Sequence, residues 1–206
     1  MIYNSQLGQD KFINEYFNGA EGLVFLDLGA HDGVTGSNTY SLEKYKNWKG
    51  ICVEAQPVQF DNLIKNRQTI CVHAAVMDFE GEVNFSYVEG YANMLSSITD
   101  EMDKRHHERI LKEIKRNGGA LHNIKVPAKK VQTILDTYSL YEIDFCSIDT
   151  EGSELSVLRS IDFTRTKIKV FIIENNYGTK QIQEFLSTKG YYLHCQLQFD
   201  DVFIRL

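Results

Sequence analysis

The sequence contains little proline and no long apolar run. Only two prolines, Pro57 and Pro127, occur in 206 residues, which argues against proline-rich linkers and favours a compact fold. The longest apolar runs, such as 23–26 and 170–173, are far too short to cross a bilayer. The N-terminus lacks a basic segment followed by an apolar one, so we expect no secretion signal and no membrane span.

Cysteine is scarce, and basic residues are not in excess. The four cysteines fall in predicted strands, and none are paired at metal-ligand spacing: Cys52, Cys71, Cys146 and Cys195. This usage is typical of buried free thiols in a reducing compartment, so we expect a cytoplasmic protein. The formal net charge of −6 argues against a nucleic-acid partner, which requires a basic excess.

Short apolar runs alternate with amphipathic segments along most of the chain. The length suits one domain, 1–206, with a leading helix inside 1–20. Apolar runs predict strands at 23–28, 50–54, 69–76, 144–148 and 168–173, and a closing hairpin at 191–197 and 200–205. The alternation predicts an α/β fold, in which a mostly parallel sheet carries helices on both faces and ends in an antiparallel hairpin.

Segment 89–125 interrupts this alternation. Residues 82–88 alternate like an edge strand, and a charged helix follows from Thr99 with Met102, Ile110 and Ile114 on one face. Its six basic and five acidic residues nearly balance, which is typical of a solvated surface helix, and His106 and His107 are expected to be exposed. We interpret segment 89–125 as an insertion over the active site that selects the substrate.

The most informative motif is an apolar strand that leads into Asp27-Leu28-Gly29, followed by a turn that extends to Gly33. Glycines at such a turn let the backbone bend sharply and leave room for a ligand. Glu54 follows about 20 residues later, where nucleotide-binding α/β units bind ribose hydroxyls. The turn lacks the pyrophosphate pattern G-x-G-x-x-G, and Asp32 would repel a phosphate. A positively charged adenosine ligand, S-adenosylmethionine, therefore fits better, with a purely structural turn as the alternative.

Acidic residues also follow later strands. Asp149 and Glu151 come after the fourth predicted strand, and Glu174 and Asn175 follow the fifth. Because the carboxyl ends of parallel strands share one edge of a sheet, these side chains are expected to lie together. They would suit hydroxyl groups, a cation or a metal.

Several segments resemble the FkbM family of S-adenosylmethionine-dependent methyltransferases. They are SQLGQD at 5–10, LDLGAHDG at 26–33, SNT at 37–39, IDTEGSE at 148–154 and IEN at 173–175. The resemblance implies a Rossmann-like class I methyltransferase fold with a seven-stranded sheet. It also implies O-methylation, often of sugars or polyketide-type products, with S-adenosylmethionine as cofactor.

The resemblance also implies roles for individual residues. Cofactor contacts are implied for Asp27, Gly29, Ala30, His31, Gly33, Glu54, Ala75, Ser97 and Asp149. Asp149, Glu151 and His31 are candidates for the base that accepts the proton of the attacking hydroxyl. Alternatively, Mg²⁺ or Mn²⁺ would bind Asp149, Glu174 and Asn175, an arrangement similar to that of catechol-type O-methyltransferases.

Three functions remain open at this stage. The first is methyl transfer to a sugar hydroxyl of a glycan or glycoside, and the second is transfer to a polyketide or lipid small molecule. The third is a non-catalytic nucleotide-binding module, fused to or cooperating with glycosyltransferases. The sequence does not predict an oligomeric state. Structural alternatives also exist, since His31 could cap its turn and Glu151 could place a favourable charge at a helix N-terminus.

Overall fold

The computed structural model describes residues 1–206 and contains eleven strands and seven α-helices. The strands are β1 (Val24–Leu28), β2 (Lys49–Glu54), β3 (Ile70–His73), β4 (Ala75–Val76), β5 (Gly81–Glu89), β6 (Ser97–Ile98), β7 (Ala120–Lys129), β8 (Glu142–Ile148), β9 (Lys167–Glu174), β10 (Tyr191–Leu197) and β11 (Asp200–Arg205). The helices are α1 (Gln9–Tyr16), α2 (Tyr40–Lys46), α3 (Pro57–Asn66), α4 (Lys104–Asn117), α5 (Val131–Tyr138), α6 (Glu154–Arg159) and α7 (Gln181–Ser187). Two short 3₁₀ turns lie at Asn93–Leu95 and Thr99–Glu101.

Seven strands form the main sheet, in the order β10-β11-β9-β8-β1-β2-β3. The neighbours from β9 to β3 are parallel, whereas β11 runs antiparallel to both β9 and β10. Successive residues of β1 point to opposite faces, so Leu26 packs in one core cluster and Phe25 in the other. Both faces are therefore covered, which confirms the predicted α/β fold with a seven-stranded sheet and an antiparallel closing hairpin.

The parallel part of the sheet follows the sequence prediction closely, with one exception. The predicted strand 69–76 divides at Ala74, because β3 pairs with β2 in the main sheet whereas β4 pairs with β7 elsewhere. The chain thus leaves the main sheet at this point and enters a second, smaller one.

The second sheet has four strands, in the order β4-β7-β5-β6. Strands β5 and β7 pair antiparallel over their length, from Gly81 opposite Ala128 to Glu89 opposite Ala120. The sequence did not predict β7, because polar His122 and Asn123 and then Pro127 obscure its alternation. Segment 89–125 therefore joins two paired strands and carries β6 and α4 between them.

Helix α4 differs from its prediction in two respects. It begins at Lys104, where Asp103 caps its N-terminus, rather than at Thr99. Its buried face includes Ile110, which packs in a small core with Val88 and Leu95, and also His106, which is only 2% exposed. The predicted exposure of His106 was wrong, because this residue faces the body of the protein. None of the helices combines the length and apolar character needed to span a membrane.

Candidate active site

A cavity of about 720 Å³ lies at the carboxyl ends of the parallel strands. Its walls come from the turns after β1, β2, β8 and β9, from the start of the chain, and from residues 91–113 on the insertion side. Open α/β sheets bind their ligands at this position, because the loops after the strands diverge there. The predicted strand-end residues Gly29, His31, Glu54, Ala75, Asp149, Glu151 and Glu174 all line the cavity.

The turn after β1 packs directly against the end of β8. Gly29 adopts a φ of +87°, and a Cβ built on it would lie 1.7 Å from the backbone oxygen of Asp149. Only glycine permits this approach. The next turn residue, His31, has a φ of +50°, and its backbone N–H donates to Glu54 Oε2 at 2.8 Å. The β1 turn is thereby fixed to both of its neighbouring strand ends.

Glu54 is a buried carboxylate that is held by backbone donors. Besides the His31 N–H, the backbone N–H of Gln56 donates to Oε1 at 2.7 Å. Burial raises the pKa of Glu54 to about 7, although these hydrogen bonds act in the opposite direction. Both oxygens retain further lone pairs, so Glu54 can accept hydrogen bonds from a pair of ligand hydroxyls.

Three carboxylates meet on another wall of the cavity. Asp149, Glu151 and Glu174 each place an oxygen within 4.8 Å of the other two. Asp149 opens onto the cavity but is surrounded by protein, and this desolvation, with the charges of Asp200 and Glu154, raises its pKa to about 7. Desolvation and mutual repulsion also raise the pKa values of Glu151 and Glu174. The cluster can therefore accept protons near neutral pH or surround a cation.

The structure corrects the predicted role of Asn175. Its amide Nδ2 donates to Asp201 Oδ2 at 2.7 Å and to the Thr179 carbonyl at 3.1 Å, while its Oδ1 accepts from the Thr179 N–H. These bonds bind the side chain within the turn after β9, and it does not line the cavity. Glu151 instead completes the cluster with Asp149 and Glu174. Three carboxylate oxygens at this spacing fit a hard divalent cation such as Mg²⁺.

Two predicted cofactor contacts lie behind the cavity wall and are also corrected. Asp27 is 4% exposed and accepts a hydrogen bond from the Thr39 hydroxyl, so it belongs to a buried polar network. Ala30 is packed in the hydrophobic core. Neither residue lines the cavity.

Gly33 and Ser97 are likewise removed from the cavity. A Cβ on Gly33 would lie 2.6 Å from Leu63 and 2.7 Å from the Arg67 stem, so this glycine permits close packing of the turn. Ser97 lies in β6 and pairs with Ser86 of β5, and its neighbour Ser96 lines the cavity instead. Ser96 also accepts a hydrogen bond from the Gln56 side chain, which links the insertion to the end of β2.

His31 lines the cavity as predicted and also contacts the insertion. Its Nε2 lies 3.3 Å from Asn93 Oδ1. Because an amide oxygen only accepts hydrogen bonds, Nε2 carries the hydrogen. Burial lowers the pKa of His31, which favours the neutral ring. Its Nδ1 is 3.6 Å from Asp32 Oδ1 and has no hydrogen-bond partner.

Comparison with known families identifies the domain that carries this cavity. Residues 27–196 match the family model described as the methyltransferase FkbM domain. The chain belongs to the FkbM methyltransferase family. The match covers every predicted site residue, from the β1 turn to the end of β9. Membership of this family makes the chain a methyltransferase and implies S-adenosylmethionine as the methyl donor.

Individual relatives agree with this assignment. The chain is 24% identical over 190 residues to the methyltransferase sdnD of Sordaria araneosa, covering 81% of this chain and 72% of that protein. A crystal structure of methyltransferase FkbM from Methylobacillus flagellatus has a TM-score of 0.52 at 11% identity, covering 89% of this chain and 43% of that one. A proposed RNA methyltransferase from Pyrococcus horikoshii also has a TM-score of 0.52, at 12% identity, covering 97% and 84% of the two chains. At these identities the two structures support the class I methyltransferase fold alone.

The FkbM cavity contains further polar residues that the sequence did not single out as site residues. Asn38 donates from Nδ2 to Ser147 Oγ at 2.9 Å, whereas its Oδ1 is buried without a partner. Ser153 is 1% exposed, and its hydroxyl also lacks a partner. Both line the cavity, so a bound ligand can supply the missing hydrogen bonds. The SNT and DTEGSE segments contain these two residues, but only the fold shows where they point.

Three features of the FkbM cavity are compatible with S-adenosylmethionine as the methyl donor. Gly29 leaves backbone space at the β1 turn, Glu54 presents two acceptor oxygens, and carboxylates outnumber cations along the wall. S-Adenosylmethionine carries a ribose and two positively charged groups, which match the last two features. Arg109 is the sole lysine or arginine among the lining residues.

Proposed function

We propose that this FkbM methyltransferase transfers a methyl group from S-adenosylmethionine to a hydroxyl of a sugar in a glycan or glycoside. The observation that carries the proposal is the cluster of Asp149, Glu151 and Glu174 beside the β1 turn. A sugar hydroxyl is a weak nucleophile, so its proton must be accepted as the new bond forms. Carboxylates with raised pKa values suit that task at neutral pH.

Cofactor binding is assigned to the turn after β1, the end of β2 and the start of β4. Gly29 and His31 would contact the methionine part, Glu54 the ribose hydroxyls, and Ala75 the adenine. When bound, S-adenosylmethionine supplies an electrophilic methyl group on a positively charged sulfur. Asp149, at the end of β8, would stabilise that charge and help to hold the acceptor in line with the methyl group.

Proton removal is assigned to the carboxylate cluster. Glu151 or Asp149 would accept the proton of the acceptor hydroxyl while the hydroxyl oxygen takes the methyl group and the donor sulfur keeps the electron pair of the broken bond. A general base works best when its pKa lies near the working pH, and the pKa of Asp149, raised to about 7, meets this condition. His31 is less suitable, because its free Nδ1 lies against Asp32.

A metal-dependent route is the second candidate. The spacing of the three carboxylates would allow Mg²⁺ or Mn²⁺ to be bound by Asp149, Glu151 and Glu174. Such an ion would lower the pKa of the acceptor hydroxyl. Sensitivity to EDTA, reversed by Mg²⁺ or Mn²⁺, distinguishes this route from catalysis by a carboxylate base.

The acceptor class rests on the polarity of the cavity. The insertion side combines polar Asn93, Ser96 and Arg109 with apolar Met94 and Leu95. Carboxylates and amides favour a polyhydroxylated acceptor, whereas the apolar residues support a polyketide or lipid as the alternative. Cooperation with glycosyltransferases and a cytoplasmic location are parts of this proposal, the latter supported by four free cysteines.

The test combines binding and turnover. Calorimetry with S-adenosylhomocysteine should show binding, and S-adenosylhomocysteine should be produced with members of a panel of sugar glycosides, measured with and without EDTA. Asp149→Asn should lower turnover by at least about 100-fold, the scale of a general acid–base contribution, whereas Asp61→Asn on the exposed side of α3 should not. Turnover only with polyketide or lipid hydroxyls would refute the sugar assignment. Binding without turnover on any acceptor would favour a non-catalytic module.

A further inference from the structure

His106 is a buried histidine that reaches the active-site cluster from the insertion. It lies in the first turns of α4 and is 2% exposed, although both flanking residues, Arg105 and His107, are exposed. Its Nδ1 lies 3.4 Å from Glu151 Oε2. Glu151 Oε2 is buried and has no other partner. The insertion therefore places a histidine nitrogen within ion-pair distance of this oxygen.

The opposite ring nitrogen fixes the state of the imidazole. His106 Nε2 lies 2.9 Å from the carbonyl oxygen of Leu95. A carbonyl oxygen only accepts hydrogen bonds, so Nε2 carries a hydrogen and Nδ1 is the atom turned to Glu151. With a hydrogen on Nδ1 as well, the ring can donate to Oε2 of the ionised carboxylate, and Oε1 stays free to accept a proton. The 3.4 Å separation lies at the outer limit of hydrogen-bond distance.

The backbone segments that carry His106 and Glu151 lie close together. Glu151 adopts a left-handed φ of +55°, which non-glycine residues adopt only when the surroundings impose it. A Cβ on the following Gly152 would lie 3.2 Å from the Glu101 carbonyl oxygen of the insertion. On the other side, Ile110 anchors α4 in the core of the insertion. The turn after β8 and the start of α4 are thus packed closely together.

We propose that His106 is a positioning residue that holds the Glu151 carboxylate in the cavity for proton acceptance. This inference rests on the proposed methyl transfer and adds to it a role for the insertion. The same segment that faces the acceptor would also orient the base. An acceptor that binds against the insertion would then lie beside a Glu151 carboxylate that is already oriented.

Two substitutions separate the two contacts of the ring. In His106→Asn the amide nitrogen can replace Nδ1 opposite Glu151 but cannot reach the Leu95 carbonyl. In His106→Gln the amide nitrogen can replace Nε2 opposite Leu95 but leaves Glu151 without its partner. If His106 positions Glu151, His106→Asn should keep kcat within about threefold of wild type, and His106→Gln should lose about tenfold or more. Binding of S-adenosylhomocysteine should be unchanged in both, and His107→Gln is the control on the exposed face.

The outcomes are distinguishable. Glu151→Gln should lower kcat, and in that background His106→Gln should cause little further loss, because the lost contact is the same. In long-range ¹H–¹⁵N spectra, Glu151→Gln should also shift the Nδ1 resonance of His106 and leave that of His194 unchanged. The reverse ranking of the two His106 variants, additive losses or an unmoved Nδ1 resonance would each overturn the inference while the methyltransferase stays active. Absence of turnover by wild type on every acceptor would instead refute the proposed function, and this role with it.

Discussion

At the scale of single residues, Glu54 is the clearest test of cofactor binding. Replacing Glu54 with glutamine removes its charge. It also places an amide group where the carboxylate now accepts hydrogen bonds from the backbone N–H groups of His31 and Gln56. We expect Glu54→Gln to weaken S-adenosylhomocysteine binding by about 10- to 100-fold, because a hydrogen bond to a charged group contributes about 1.5–3 kcal/mol. Titration calorimetry measures this change. Glu82→Gln, at an exposed position of β5, is the control, and unchanged affinity in Glu54→Gln would contradict the ribose assignment.

Gly29 tests a different residue-scale requirement, which is the close approach of two chain segments. An alanine there would place its Cβ against the Asp149 carbonyl and would also occupy a positive φ. Gly22→Ala is the matched control, because its φ is +71° but no atom lies within 4 Å of the new Cβ. We expect Gly22→Ala to cost about 1–2 kcal/mol and Gly29→Ala distinctly more, as measured by urea unfolding. Equal losses would show that backbone conformation alone matters at Gly29.

At the scale of elements, local pattern determined which segments could be predicted. The boundaries of β10 and β11 match their predictions, because apolar residues and flanking polar residues mark them clearly. Strand β7 escaped prediction, since its stability comes from pairing with the distant β5 rather than from its own alternation. Helix α4 was predicted, but its buried face was not fully recognised because His106 is polar.

The insertion helix provides an element-scale prediction. Ile110 is fully buried in the small core of the insertion, whereas the adjacent Leu111 is 49% exposed. Ile110→Ala should therefore destabilise the insertion by about 2–4 kcal/mol, and Leu111→Ala should have little effect. Hydrogen exchange should rise in residues 88–117 and turnover should fall. S-adenosylhomocysteine binding should persist, because Gly29 and Glu54 lie at the ends of strands of the main sheet. Equal exchange in the two variants would contradict this account of α4.

At the scale of the whole molecule, the site could be predicted where fold rules determine it. Parallel strands end at one edge, so the meeting of Asp149 and Glu174 followed from the strand assignments alone. The prediction that Asn175 joins this cluster was wrong, because the turn after β9 directs neighbouring side chains differently. No rule about strand ends specifies those directions. The contact between His106 and Glu151 joins segments 45 residues apart, and it depends on how the insertion docks on the main sheet.

The same carboxylates predict how stability depends on pH. The pKa values of Glu54 and Asp149 are raised to about 7 from 4.5 and 3.8, and those of Glu151 and Glu174 are also raised. Between the unfolded and folded pKa values, the folded state holds protons that the unfolded chain has released. This stabilisation is complete below about pH 4 and is lost as the pH rises through about 7.

The melting temperature of the ligand-free protein should therefore fall between pH 5 and pH 8 and then level off. For Glu54 alone, a shift of this size corresponds to at most about 3 kcal/mol, since one pKa unit is about 1.4 kcal/mol. Glu54→Gln should reduce the slope, and Glu82→Gln should leave it unchanged. Because S-adenosylmethionine carries positive charge, it should raise the melting temperature more at pH 8, where the carboxylates are ionised, than at pH 5. Scanning fluorimetry across this range measures both effects, and a melting temperature that rises with pH would contradict the raised pKa values.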